Sequence, residues 1–307
     1  RLTPGVKRLL ILMAPIALGA GAYQISLLTD VIIASFLPEG SLSYLFYADR
    51  LNQLPLGVVG IAVGTALLPL LSRQLSTGQD AEAMVNMNRA IEIALFFALP
   101  AAVALMLVPE LLIGPLFQRG AFTATDTLAT AGALGAYAIG LPAYILVKVL
   151  SPAFFARQDT KTPIKASVVA LVINLVLNLI LMGPLLHVGL ALATAVAAWV
   201  NVGILAVTLL RRGQLKMDAR LKKRVPRALL ASLLMGLALY GLSQVLQPWF
   251  SDGETSRIAA LAALVGGGVL AYGLAAHVFG ALRAQELLPM VKGRSRAVAG
   301  PSGDEEA

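Results

Sequence analysis

The chain has 307 residues, 58% of them hydrophobic and only 13% charged. A soluble domain carries roughly 45–50% apolar and about 25% charged residues, so a water-soluble globular fold is excluded and a polytopic membrane protein is indicated. Zero cysteines exclude a disulfide scaffold and thiolate metal sites, and His187 and His277 have no acidic or sulfur companions at metal-motif spacing, so no zinc or iron site is expected.

The apolar runs predict an all-α polytopic membrane protein with eight transmembrane helices, at about 9–37, 43–71, 90–108, 127–150, 164–182, 188–210, 228–246 and 258–282. The net charge of +8 raises nucleic acid as a partner, but threading the spans alternately puts 20 of the 24 Lys and Arg on one side. By the positive-inside rule that side is cytoplasmic, which places both termini of this fragment inside; the basic balance is a topology signal and no nucleic acid is expected. The chain begins with Arg1, without a Met and an n-region, and so reads as a truncation with no signal peptide.

The first span breaks at Pro38-Glu39-Gly40 and contains Asp30 about seven residues from its outer end. The second carries Asp49, Arg50, Asn52 and Gln53 inside an otherwise apolar run. An intramembrane Arg costs roughly 3 to 15 kcal/mol, so it normally faces protein or a water-filled cavity. Pro55 permits a bend there, and Gly60-x-x-x-Gly64 has the spacing of close helix packing, with bending during a transport cycle as the alternative.

Residues 72–89 read as a polar connection forming a surface-lying amphipathic helix. The segment PELLIGPLFQRGAFTATD reads as a short interfacial piece held by Phe117 and Phe122. Lys148, within the fourth span, is expected to snorkel its ammonium to the inner surface. Asn174 and Asn178 share one face of the fifth span, and Thr194 lies just inside the sixth. The basic linker 211–227 suits anionic lipid headgroups, Trp249 suits an interfacial belt, and the tail 284–307 is expected to be disordered.

Four separated motifs carry a resemblance. SLSYLFYADRLNQLPLGVVGIAVGTALLP, LFQRGAFT, FFARQDTKTPIK and GPLLHVGLALATAVAAWVN, in that order, resemble the lipid II flippase family MurJ (MviN) of the multidrug/oligosaccharidyl-lipid/polysaccharide exporter superfamily, from about Pro4 to Leu210 and more loosely through Ala281. The resemblance implies about fourteen helices in two six-helix lobes plus a final pair. It thereby implies that this chain is the second lobe (1–210), the basic linker (211–227), a two-helix hairpin with a possible lipid-tail groove (228–283) and the cytoplasmic tail (284–307), without the first lobe. It further implies a bacterial cytoplasmic-membrane transporter, not an enzyme, that moves lipid II to the outer leaflet by alternating access. Its implied partners are lipid II, membrane lipids and the missing N-terminal lobe. An exporter of another polyprenyl-diphosphate-linked oligosaccharide or of drugs is the alternative.

On the resemblance, Arg50 contacts the substrate diphosphate, with Asp49 and Gln53 beside it as further substrate-binding candidates. A packing charge paired with Asp49 or Asp30 is the competing reading. No cofactor is required. Asp30, Asn174, Asn178, Thr194 and a carbonyl near Leu190 lie at matching depths and offer hard oxygen ligands for Na⁺, with an interhelical hydrogen-bond cluster as the alternative; the resemblance implies sodium in this lobe.

Overall fold

The computed structural model describes residues 28–251 and 253–281. Most of the first expected span, the tail 284–307 and the two sequence ends lie outside these residues. The described residues are helical with short connections and no strand. Residues 28–34 form α1; then come α2 (Ser41–Pro55), a π-helical segment (Leu56–Ile61), α3 (Ala62–Ser76), α4 (Asp80–Leu107), α5 (Pro109–Phe117), α6 (Ala124–Phe155), α7 (Lys161–Arg211), α8 (Ala219–Ser251) and α9 (Glu254–Val278). Among the described residues, six stretches are long and apolar enough to cross a membrane. The first joins α2 to α3 through the π segment, and α7 holds two of the spans read from sequence.

The centre of the lobe is α6. Thr123 caps it by accepting from the Asp126 amide while Asp126 accepts from the Thr123 amide, a reciprocal capping box. Its buried side is rich in small residues: Ala133, Ala138, Ala143 and Ala153 are fully enclosed. In lipid, where apolar side chains gain nothing by leaving the solvent, such residues let neighbouring backbones approach and maximise dispersion contact. Accordingly α2, α3, α4 and α7 all pack against α6. Gly64 is one such approach: a Cβ there would stand 3.0 Å from the Lys148 carbonyl oxygen, and one on Gly60 would stand 3.2 Å from Lys148 Cδ. The Gly60/Gly64 pair is therefore a packing face, and the aliphatic stem of the exposed Lys148 lies across it.

One connection differs from the sequence reading, and a second falls where the reading divides two spans but is closer than a loop. Residues 72–89 are not a separate surface helix. The chain turns at Thr77–Gln79, and α4 then runs unbroken from Asp80 into the span, with Asp80 and Glu82 matching the positive end of the helix. Ala83, Met87, Asn88 and Ala90 bury its early turns, so the polar composition describes only the opposite face. The reversal between spans 164–182 and 188–210 is also tighter than a turn. Helical geometry fails at Leu186 alone, with φ 49° and ψ −133°, a conformation that costs a non-glycine residue strain. The arms then pack so closely that a Cβ on Gly189 would stand 2.5 Å from the Leu181 carbonyl oxygen.

The hairpin of α8 and α9 buries Ala231, Leu239, Leu264 and Ala276 in a second core against α4. Helix α8 begins at Ala219 and so takes in the second half of the basic segment. Glu92 on α4 receives Arg89 Nη1 at 2.8 Å, Arg220 Nε at 3.2 Å and Arg224 Nη1 at 2.5 Å, and Arg89 also reaches Asp218 at 2.8 Å. Nearer the middle, the Tyr272 hydroxyl donates to the Phe96 carbonyl at 2.6 Å. At the same basic-rich end, Arg212 donates to Asp159 at 2.6 Å. Partial burial opposes the Asp159 charge, yet the Thr162 hydroxyl and amide together with Arg212 hold its carboxyl down at about 2.

Candidate functional site

Helix α2 turns Leu45, Ala48, Leu51 and Asn52 into the lobe, which leaves Phe46, Arg50 and Leu54 exposed on the other side at a spacing of four residues. The Arg50 guanidinium carbon lies over the Phe46 ring, 4.6 Å from its centre, a cation–π contact. Arg50 Nη1 donates to Gln53 Oε1 at 3.3 Å, and Gln53 Nε2 in turn donates to Asp49 Oδ2. Gln53 thus stands between the two charges and bridges them. Arg50 makes no ion pair with Asp49 or Asp30; Asp30 instead accepts from Asn178. Nε and Nη2 of the exposed guanidinium have no hydrogen-bond partner among the described residues, and they form the edge that grips a phosphate with two parallel hydrogen bonds.

The aromatic residues near this face are organised by α5 and the segment after it. Tyr47 packs against Phe117 with ring centres 4.9 Å apart and against Phe122 at 5.4 Å. Both phenylalanines expected to hold the α5 segment do so against α2. Tyr44 adds a polar tie by donating to Asp126 Oδ1 at 2.7 Å, which locks the start of α2 to the cap of α6. The sequence reading missed that tie, since nothing in the motif that contains Tyr44 points to a partner 82 residues away; the capping pattern Thr123-x-x-Asp126 was its one visible half.

The five candidate cation ligands converge. Asn178 Nδ2 donates to Asp30 Oδ1 at 2.7 Å and to Asn174 Oδ1 at 3.1 Å, Asn174 Nδ2 donates to Thr194 Oγ1 at 3.1 Å, and Thr194 donates to the Leu190 carbonyl at 3.0 Å. The tight reversal at Leu186 places Thr194 and Leu190 across from the two asparagines. Turned over, the Asn174 amide donates to Asp30 Oδ1 at 3.2 Å and accepts from the Thr194 hydroxyl at 3.1 Å, which gives both its nitrogen and its oxygen a complementary partner. Asn178 is fully buried and its Oδ1 has no hydrogen-bond partner among the described residues. A buried amide oxygen without a donor costs free energy unless something positive meets it. The donor set of carboxylate, amide, hydroxyl and carbonyl oxygens fits a hard monovalent cation.

A family model described as "Lipid II flippase MurJ" matches residues 1–260. The chain belongs to the MurJ family. A curated MurJ relative from Rhizobium tropici, named "Probable lipid II flippase MurJ", is 44% identical over 255 residues, covering 83% of this chain and 48% of the relative. One of the same name from Vibrio cholerae is 37% identical, covering 88% and 51%. A solved structure described as "Lipid II flippase MurJ, inward closed conformation" superposes with a TM-score of 0.70 at 28% identity, over 87% of this chain and 52% of that one. An outward-facing multidrug resistance MATE transporter of the MOP superfamily superposes with a TM-score of 0.58 at 17% identity and shares the fold alone. The chain spans about half the length of the curated MurJ relatives it matches. Together with its long apolar helices, membership of MurJ makes it a multi-pass membrane protein of a transporter family.

Proposed function

We propose that this chain supplies one wall of a path through which lipid II, the diphosphate-linked peptidoglycan precursor, passes to the outer leaflet of the bacterial cytoplasmic membrane. The observation that carries the reading is the exposed Arg50 fork, in contact with Phe46 and Gln53 and free of any ion pair among the described residues. Asp49 is held by Gln53 rather than by the guanidinium, whose charge is permanent and whose remaining edge can meet a diphosphate. The remaining contacts belong to an N-terminal lobe, and rocking of the two lobes would expose the site to each side in turn without bond making or breaking. The basic-rich end lies in the cytoplasm on this reading, which puts the Glu92 and Asp159 ion pairs there.

Membership of a flippase-named family supports the substrate class, and the bidentate chemistry of guanidinium supports the role of Arg50. In the complete protein, Arg50→Ala should abolish complementation of a strain depleted of its own flippase while expression stays normal, and Arg50→Lys should rescue it in part. Full complementation by the alanine variant would end the assignment.

The Asp30 cluster is proposed as a Na⁺ site tied to this cycle. Asp30, Asn174, Asn178, Thr194 and the Leu190 carbonyl would hold the ion; its charge would satisfy Asp30 and the partnerless Asn178 oxygen while tying residue 30 to α7.

A further inference from the structure

A cleft of about 280 Å³ opens at the basic-poor end, between α5, the start of α6 and the place where α8 meets α9. Leu111, Pro115 and Phe250 give it apolar walls, Leu128 at its edge is 56% exposed, and Glu110 and Arg257 supply charges of opposite sign. Arg257 is held from behind, its Nε donating to the Phe250 carbonyl at 2.8 Å. Its two Nη groups have no further partner among the described residues. The neighbouring cation, Arg119, is engaged elsewhere, 3.6 Å from Glu254. Glu110 is exposed in the first turn of α5 and pairs with nothing among the described residues.

A guanidinium fixed by its Nε presents the Nη edge that binds phosphate oxygens. A carboxylate on the same cleft adds a place for a cation, and the apolar walls continue into the surface of membrane-spanning helices. A free phosphate would leave those walls uncovered and Glu110 facing like charge. The volume is below the roughly 300–1,000 Å³ of sites for drug-sized ligands and suits a compact headgroup. We propose that this cleft holds the headgroup of a glycerophospholipid bearing a primary amine, with its phosphate on Arg257, its ammonium on Glu110 and its acyl chains leaving past Leu128. The lipid would fill the seam between the lobe and the α8–α9 hairpin, a site separate from the Arg50 face.

The test is native mass spectrometry of the complete protein, delipidated in detergent and given equimolar phosphatidylethanolamine and phosphatidylglycerol. The wild type should retain one phosphatidylethanolamine with a preference of about fivefold or more, and Arg257→Gln should lower occupancy by about the same factor. Glu110→Gln should equalise the two lipids, and because Glu110 is exposed this variant reads out the site even if Arg257→Gln folds poorly. Inorganic phosphate at millimolar concentration should displace nothing. Unchanged preference in Glu110→Gln, unchanged occupancy in a folded Arg257→Gln, displacement by phosphate, or selective retention of a polyprenyl diphosphate would each overturn the proposal.

Discussion

At Asp30 a single carboxylate meets two asparagines and a threonine, and that short polar chain makes a measurable claim. Isothermal titration of the complete protein with Na⁺ should give saturable heat that K⁺ does not reproduce, and Asp30→Asn should abolish it; identical heats from the two proteins would leave only a hydrogen-bond cluster. With one formal negative charge in the donor set, affinity should be modest, and Asn178→Asp should raise it. These residues were legible in the sequence because depth along a helix is simple counting, about 1.5 Å per residue, and equal depths in different spans suggest contact. The hydrogen-bond order among them was not legible, since it depends on amide orientation. Nor was the bridging role of Gln53: adjacent residues on a helix diverge by about 100°, so the sequence allowed Asp49 to avoid Arg50 but did not say what would hold it.

Between elements, the contacts that matter most are backbone approaches that a composition profile cannot show. Apolar runs located the described spans, because twenty apolar residues in a row have few other solutions. They misread 72–89, where a half-buried helix start has the composition of a surface helix, and they separated 164–182 from 188–210 without showing that the two spans reverse on Leu186 alone. Gly189 makes that reversal possible, and its replacement should be costly. Gly189→Val puts side-chain carbon against the Leu181 carbonyl, a backbone atom that cannot swing away, and should destabilise the complete protein by about 1–3 kcal/mol, seen as a lower thermal midpoint. Gly57→Ala, where a Cβ meets nothing within 4 Å, is the matched control and should leave the midpoint unchanged. Equal midpoints for both variants would mean that the arms separate freely.

Across the whole chain, lobe and hairpin are joined at one end by charge and along α4 by packing. Glu92 is 11% exposed at its side chain and gathers Arg89, Arg220 and Arg224, so Glu92→Gln leaves three arginines converging on a neutral amide. Removing one partner of a mostly buried ion pair costs roughly 3 kcal/mol or more. Proteolysis in the 211–218 connection should accelerate accordingly, whereas Arg119→Ala, which breaks a pair more than 70% exposed on both sides, should leave the cleavage rate as it was. The sequence showed a basic block but gave no sign of the acid it closes on, because Glu92 sits in the apolar context IEIALFF, 128 residues from Arg220.

The π segment after Pro55 bears on how one span can serve two surfaces. In an unbroken α-helix, Asn52 and Gly60 would point about 80° apart, and Arg50 and Gly64 only about 40° apart. Each residue of a wider π turn advances the helix by about 20° less, so six of them unwind it by roughly 100°. That correction brings Gly60 back into phase with the buried Asn52 and swings Gly64 toward the side opposite Arg50. The extra residue in the turn acts as a phase shifter: the same helix clasps α6 with its glycines below and holds its arginine away from α6 above.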